Sequence, residues 1–124
     1  MNWNTRITDL LNIKYPIIQG GLAYLAYSEL AAAVSNAGGL GQITAMSLES
    51  PEALRKEIQK VKQLTTFPFG VNFAIGQHGR PYTAYLDVAL DEKVAVVSVT
   101  GGNPTPFFSV LRRFKCKKIS TCGS

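Results

Sequence analysis

Apolar positions in this chain alternate between short unbroken runs and longer stretches spaced at three and four residues. The runs are Pro16 to Ile18, Leu40 to Thr44, Phe69 to Phe73 and Val94 to Val99, each of strand length. The last, Val94-Ala95-Val96-Val97-Ser98-Val99, is the near-continuous apolar pattern of a strand buried on both faces of a parallel sheet. Helical stripes lie before and between the runs. Ile7, Leu10 and Leu11 mark one face of a short helix over residues 5–12. Leu30, Ala33, Val34 and Ala37 form the next stripe, with Ser28 as the N-cap. Ser50-Pro51-Glu52 is a strong start signal: a cap, a proline at the first helical position and an acid facing the dipole. It predicts a helix with Leu54, Ile58 and Val61 inside, and Lys56, Glu57, Lys60 and Lys62 toward water. Pro81 opens a helix with Tyr82, Tyr85, Leu86, Ala89 and Leu90 on its apolar face. Thr105-Pro106 opens another with Phe107, Phe108, Leu111 and Phe114 inside, and a weak further strand falls near Lys118–Cys122.

The strands begin near residues 16, 40, 69, 94 and 118, so strand and helix alternate with a period of about 25 residues. Successive βα units of this kind build parallel sheets with right-handed crossovers. A (β/α)8 barrel of about 250 residues has this period, and 124 residues would make its first half. The predicted fold class is therefore α/β, a TIM barrel truncated to about its first four to five βα units.

Three of the predicted strands end in small or polar residues: Gln19-Gly20-Gly21-Leu22, Asn72 within Gly70-Val71-Asn72, and Thr100-Gly101-Gly102-Asn103. Glycines at a strand's carboxyl end let a ligand approach the backbone, because no Cβ stands in the way. Gly38-Gly39-Leu40-Gly41 reads differently. It follows a helix and precedes a strand, the reverse of a phosphate-binding loop, and predicts helix termination with close helix–strand packing.

Charge adds little to this picture. Residues 1–111 carry eight acidic and eight basic side chains, so the net +5 comes entirely from Arg112, Arg113, Lys115, Lys117 and Lys118. No aromatic platform or nucleic-acid motif accompanies that cluster, and a solvated helix end is the expectation rather than a nucleic-acid partner. No apolar run approaches the roughly 18 residues of a membrane span, and the N-terminus lacks a secretory pattern. A cytoplasmic protein is expected. Cys116 and Cys122, spaced C-x5-C, match no zinc or redox pattern and are expected to be free thiols, with no metal site.

Taken together, Tyr15-Pro16-Ile17-Ile18-Gln19-Gly20-Gly21, Leu30 through Gly41 and Phe69-Gly70-Val71-Asn72 resemble the nitronate monooxygenase family, formerly 2-nitropropane dioxygenases. The flavin-dependent enoyl-ACP reductase II proteins are close relatives. The resemblance runs from Thr5 to about Leu111 and implies a TIM barrel holding FMN. It further implies that Gln19, Gly20, Gly21 and Leu22 lie against the flavin ring, with leucine where the family usually has methionine. Asn72 would hydrogen-bond the flavin through its amide, and Thr100, Gly101 and Gly102 would line the pocket over the ring. The substrates implied are an alkyl nitronate, or a similar small molecule, and dioxygen.

The family's catalytic histidine and its phosphate-gripping amides belong to the second half of the barrel, so the resemblance implies no catalytic residue here. His78 sits in the loop after the third strand and does not match the catalytic position. Residues 1–111 are read as the N-terminal half of the barrel, and 112–124 as an aberrant basic tail that suggests a frameshift or early stop. Two alternatives accompany this reading. One is an enoyl-ACP reductase II-type flavoenzyme using a nicotinamide nucleotide. The other is a non-catalytic half-barrel that self-associates through open sheet edges.

Overall fold

The computed structural model describes residues 3–76, 81–111 and 117–120. Helix α1 (Arg6–Leu11) is started by a reciprocal cap, in which Thr5 Oγ1 accepts from Thr8 N at 3.2 Å and Thr8 Oγ1 accepts from Thr5 N at 2.8 Å. Asn12, at φ 56°, ends it in the left-handed conformation. Helix α2 spans Ser28–Asn36 and strand β1 spans Gly41–Thr44. Helix α3 (Pro51–Leu64) is capped by Ser50, whose Oγ accepts from Ala53 N at 3.1 Å, and it buries Leu54, Ile58 and Val61 as its sequence predicts. Strand β2 (Phe69–Ala74), helix α4 (Thr83–Asp91), strand β3 (Val96–Thr100), helix α5 (Thr105–Leu111) and strand β4 (Lys117–Ser120) complete the order. Among the described residues no helix is long and apolar enough to cross a membrane.

The four strands pair in parallel in the order β1-β2-β3-β4, so each βα unit adds its strand beside the previous one. This is the curling progression of a (β/α)8 barrel carried through its early units. Register divides the sheet into two faces. Ile43, Val71, Phe73, Val97 and Val99 point outward and pack with Leu54, Ile58, Val61, Leu86 and Ala89 from the helices. Gln42, Thr44, Gly70, Asn72, Ser98 and Thr100 share the opposite face, the inner wall of a barrel. Helix α1 closes the lower end of that wall, where Leu11 packs on Leu40 and Val96.

Five predictions need correction. The segment Pro16–Gln19 is not a buried strand: a single parallel bridge joins Ile18 to Leu40, and Ile17 and Ile18 are 61% and 37% exposed. Only the start of β1 flanks it among the described residues, so nothing covers its other side. The stripe of α2 is rotated, since Ser28, Ala31, Ala32 and Ser35 are buried rather than Leu30, Ala33, Val34 and Ala37. Small residues face inward because β1 comes so close that a Cβ on Gly41 would collide with the Ala31 carbonyl. Ser28 does not cap α2. The cap position is Tyr27, without a side-chain bond, and the orphan Ser28 N–H is satisfied by Glu57 Oε2 of α3 at 3.0 Å. Glu57 is thereby drawn out of solvent by the helix it caps. Leu10 of α1 is exposed rather than inward-facing.

Helices α3 and α4 are pinned by charge as well as by packing. Arg55 Nη1 lies 2.8 Å from Asp91 Oδ2 and 3.0 Å from Glu92 Oε1, and Lys62 Nζ lies 2.9 Å from Glu92 Oε2. The hydrogen bond from Lys62, aided by that from Arg55, holds the Glu92 carboxyl below its ordinary range. A depressed carboxyl stabilises the fold above the unfolded carboxylate pKa of about 4.3 and loses that contribution as pH falls through the folded value. Glu92→Gln is therefore expected to lower the urea midpoint at pH 7, with its gap from the parent closing below about pH 4. Gly41→Ala is expected to cost about 2–3 kcal/mol in the same measurement, from the forced separation of α2 and β1.

Candidate functional site

The residues singled out from the sequence gather at the carboxyl ends of the strands, where barrels build their active sites. The loop Gln19–Leu22 is held by paired glutamines. Gln19 Nε2 donates to Gln42 O at 3.0 Å, while Gln42 N donates to Gln19 Oε1 at 3.1 Å and Gln42 Nε2 to Gln19 O at 3.0 Å. Two positions on, Leu22 N donates to Thr44 Oγ1 at 2.9 Å. The loop is thus fastened along β1 by side-chain bonds rather than by a strand ladder.

Asn72 stands in the middle of the inner wall. Its Nδ2 donates to Ser98 Oγ at 2.9 Å, and Ser98 Oγ donates to Gln42 Oε1 at 2.6 Å. Gln42, Asn72 and Ser98 are each 3% exposed, so this line of bonds runs out of reach of water. Gln42 belongs to β1 and Ser98 to β3, with β2 between them. The glutamine crosses β2 over Gly70, where a Cβ would sit 3.2 Å from Gln42 Cγ and Oε1 and 3.3 Å from Val96 Cβ. Gly70 is the opening through which Gln42 reaches Ser98.

Gly20 and Gly21 differ in their reasons for being glycine. A Cβ on Gly21 would strike Asn72 Oδ1, whereas one on Gly20 would meet nothing within 4 Å. Thr100, Gly101 and Gly102 form a second part of the rim. Thr100 pairs with Ala74, one inner-wall step above Asn72, and Thr100 O accepts from Ile75 N at 2.9 Å. Gly101, at φ 76°, and Gly102 fold against Ile75, whose side chain would lie 2.8 Å from a Cβ on Gly102. The glutamine loop therefore lies over Asn72, two residues before the end of β2, and the Thr100 loop lies against Ile75. His78 and the cysteines Cys116 and Cys122 lie outside the described residues.

Gln42, Thr44 and Ser98 were not anticipated. Ser98 is the one polar residue in a valine-rich run, and Gln42 is the one long polar residue in Leu40–Thr44. Those breaks in apolar runs were the available signal. The assembled network of amides and a hydroxyl contains no group that titrates near neutrality. It can bind and orient a ligand, but it offers no base.

A test of ligand fit comes from Asn72. Its Oδ1 accepts no hydrogen bond among the described residues, although the side chain is buried and its amine end is engaged. A buried acceptor left open beside a side-chain-free loop fits a planar ligand carrying a polar edge. A groove of about 450 Å³ lies elsewhere, at the strands' amino ends between Asn12, Lys14, Asn36, Gly38 and Phe67. Barrel active sites do not form at that end. Gly70→Val is expected to cost about 1–3 kcal/mol in a denaturation midpoint by expelling Gln42 from its crossing and unpairing Ser98.

Comparison with known proteins places these features in context. The family model described as nitronate monooxygenase matches residues 4–79. A protein of Staphylococcus haemolyticus named "Probable nitronate monooxygenase" is 50% identical over 78 residues, which cover 63% of this chain and 22% of that protein. Its namesake in Staphylococcus saprophyticus is 49% identical over 75 residues, covering 60% and 21%. The match thus spans about a fifth of these relatives' length. Among solved structures, FabK from Thermotoga maritima superposes with a TM-score of 0.89 at 42% identity, over 98% of this chain and 38% of that one. Nitroalkane oxidase from Streptomyces ansochromogenes gives 0.79 at 29% identity, over 95% and 42%.

Proposed function

Because the chain belongs to the nitronate monooxygenase family, we propose that it forms the N-terminal part of an FMN-dependent oxidoreductase acting on alkyl nitronates with dioxygen. The observation that carries this reading is the open, buried acceptor Asn72 Oδ1 beneath Gly21. In this reading Gln19, Gly20, Gly21 and Leu22 lie against the flavin ring, Asn72 bonds its edge, and Thr100, Gly101 and Gly102 line the space over it. Bound FMN would supply the two-electron redox chemistry. The chain's own residues hold and orient the ring, and the glycines let it approach the backbone. The sheet beneath keeps water from the network.

No proton-transfer group stands among these residues, and a positioned base is typically worth 10²–10⁴-fold in rate. The phosphate grip expected on later strands of the family's barrel also falls outside this set, and charge-assisted bonds to phosphate carry much of a nucleotide's affinity. The 124-residue chain purified alone is therefore expected to be colourless, with no flavin band near about 450 nm. Joined to the remaining strands of a relative, it should turn yellow and oxidise a nitronate. A joined protein that reduces an enoyl thioester with a nicotinamide nucleotide, and leaves nitronates untouched, would assign the chain to the enoyl-ACP reductase II type. Yellow, active protein from the chain alone would contradict the incomplete site.

The edges of the sheet support a second property of the chain by itself. Beyond the bridge at Ile18, the β1 side exposes Ile17, Leu22 and Leu25, and β4 has no further strand among the described residues. Open parallel edges with apolar side chains template pairing with another copy. Size-exclusion chromatography with light scattering is expected to give dimers or larger species. A monomer that unfolds cooperatively would contradict this.

A further inference from the structure

A carboxamide can sit either way round, and the hydrogen bonds about Asn72 decide which way it sits. The deciding group is the backbone carbonyl of Gln19, which can only accept. Gln42 turns its Nε2 to that oxygen at 3.0 Å, and this leaves its Oε1 facing Ser98. Ser98 has one hydroxyl proton and gives it to Gln42 Oε1 at 2.6 Å. Toward Asn72 it can therefore only accept, so Asn72 presents Nδ2 to it at 2.9 Å. The remaining end, Oδ1, is turned against Gly21. With all three side chains 3% exposed, water cannot substitute for any link and scramble the order.

We propose that Gln42 and Ser98 are positioning residues that fix Asn72 as a hydrogen-bond acceptor, so that the ligand edge recognised at this strand end is an N–H donor on a planar heterocycle. The inference rests on the flavin reading, under which the donor is the imide N–H of the ring. Neither Gln42 nor Ser98 needs to touch the ligand, since both act through the Asn72 amide. Gly70 belongs to the same device because it lets Gln42 cross to Ser98.

The test compares FMN with 3-methyl-FMN, whose imide nitrogen carries no proton. Each is titrated with excess 124-residue chain, and binding is followed by quenching of flavin fluorescence. Affinity is weak without a phosphate grip, so the readout is the ratio of the two dissociation constants. The parent is expected to favour FMN by at least about fivefold. In Ser98→Ala the amide is free to turn, and the ratio falls to within about twofold. Ser98→Thr keeps the hydroxyl and retains the parental ratio, which a merely structural role would not require. Gln42→Met removes the group that orders Ser98, is expected to lose the ratio too, and serves if Ser98→Ala does not fold. Equal binding of both flavins by the parent, or a ratio unchanged in Ser98→Ala and Gln42→Met, overturns the inference and leaves the flavin reading standing. Should the chain alone quench neither flavin, the same ratios are read on the chain joined to the remaining strands of a relative, and absence of quenching there removes that reading, and the inference with it.

Discussion

The side chain of Gln42 crosses an entire strand to accept from Ser98, passing residue 70 so closely that a Cβ there would press on it at 3.2 Å. Much of the inner wall hangs on that crossing. It ties β1 to β3 over β2, orders the hydroxyl of Ser98, and through it orders the amide of Asn72. The other end of the same glutamine clasps Gln19 and so places the glycine loop. Buried polar groups cost stability unless they are paired, and here each link satisfies the next until the chain of bonds reaches Asn72 Oδ1, which accepts no bond among the described residues.

The two faces of the sheet therefore divide the work. The outer face is a packed apolar core in which α3 supplies Leu54, Ile58 and Val61, and α4 supplies Leu86 and Ala89. That face accounts for the fold. The inner face accounts for the site. Val96 and Leu40 are covered by Leu11 at the lower end, amides and a hydroxyl occupy the middle, and glycines stand at the rim. At Gly41 helix α2 lies against β1 so closely that a Cβ would meet the Ala31 carbonyl.

Elements that depend on local signals were legible in the sequence. Ser50-Pro51 starts α3 and its spaced apolar residues face the core, because cap and stripe are both properties of one short stretch. The close helix–strand packing foreseen for Gly38–Gly41 is present for the same reason. What could not be read depended on neighbours. Whether Pro16–Gln19 forms a buried strand depends on what lies along both its sides, and one bridge at Ile18 is the outcome. The face that α2 buries was set by the proximity of Gly41 rather than by its larger residues. Glu57 looked solvated because the helix end it serves is 29 residues away in sequence. In the candidate site, the glycines and the asparagine stand out in the sequence as small or polar residues where strands end. Ser98 was hidden within an apolar run whose two faces become distinguishable only once the register is known.

Membership of the nitronate monooxygenase family rests on a match over residues 4–79, while the match to curated relatives spans only about a fifth of their length. The chemistry of the whole barrel, and the binding rim assigned to this chain, are thus proposals. The flavin reading is tested most directly by where a flavin meets the chain. Backbone amide shifts recorded by NMR during titration with FMN measure that location residue by residue. Perturbations grouped at Gly20, Gly21, Leu22, Asn72 and Thr100 through Gly102 are expected. Shifts confined to the groove around Asn12, Lys14 and Gly38 at the opposite end would contradict that reading.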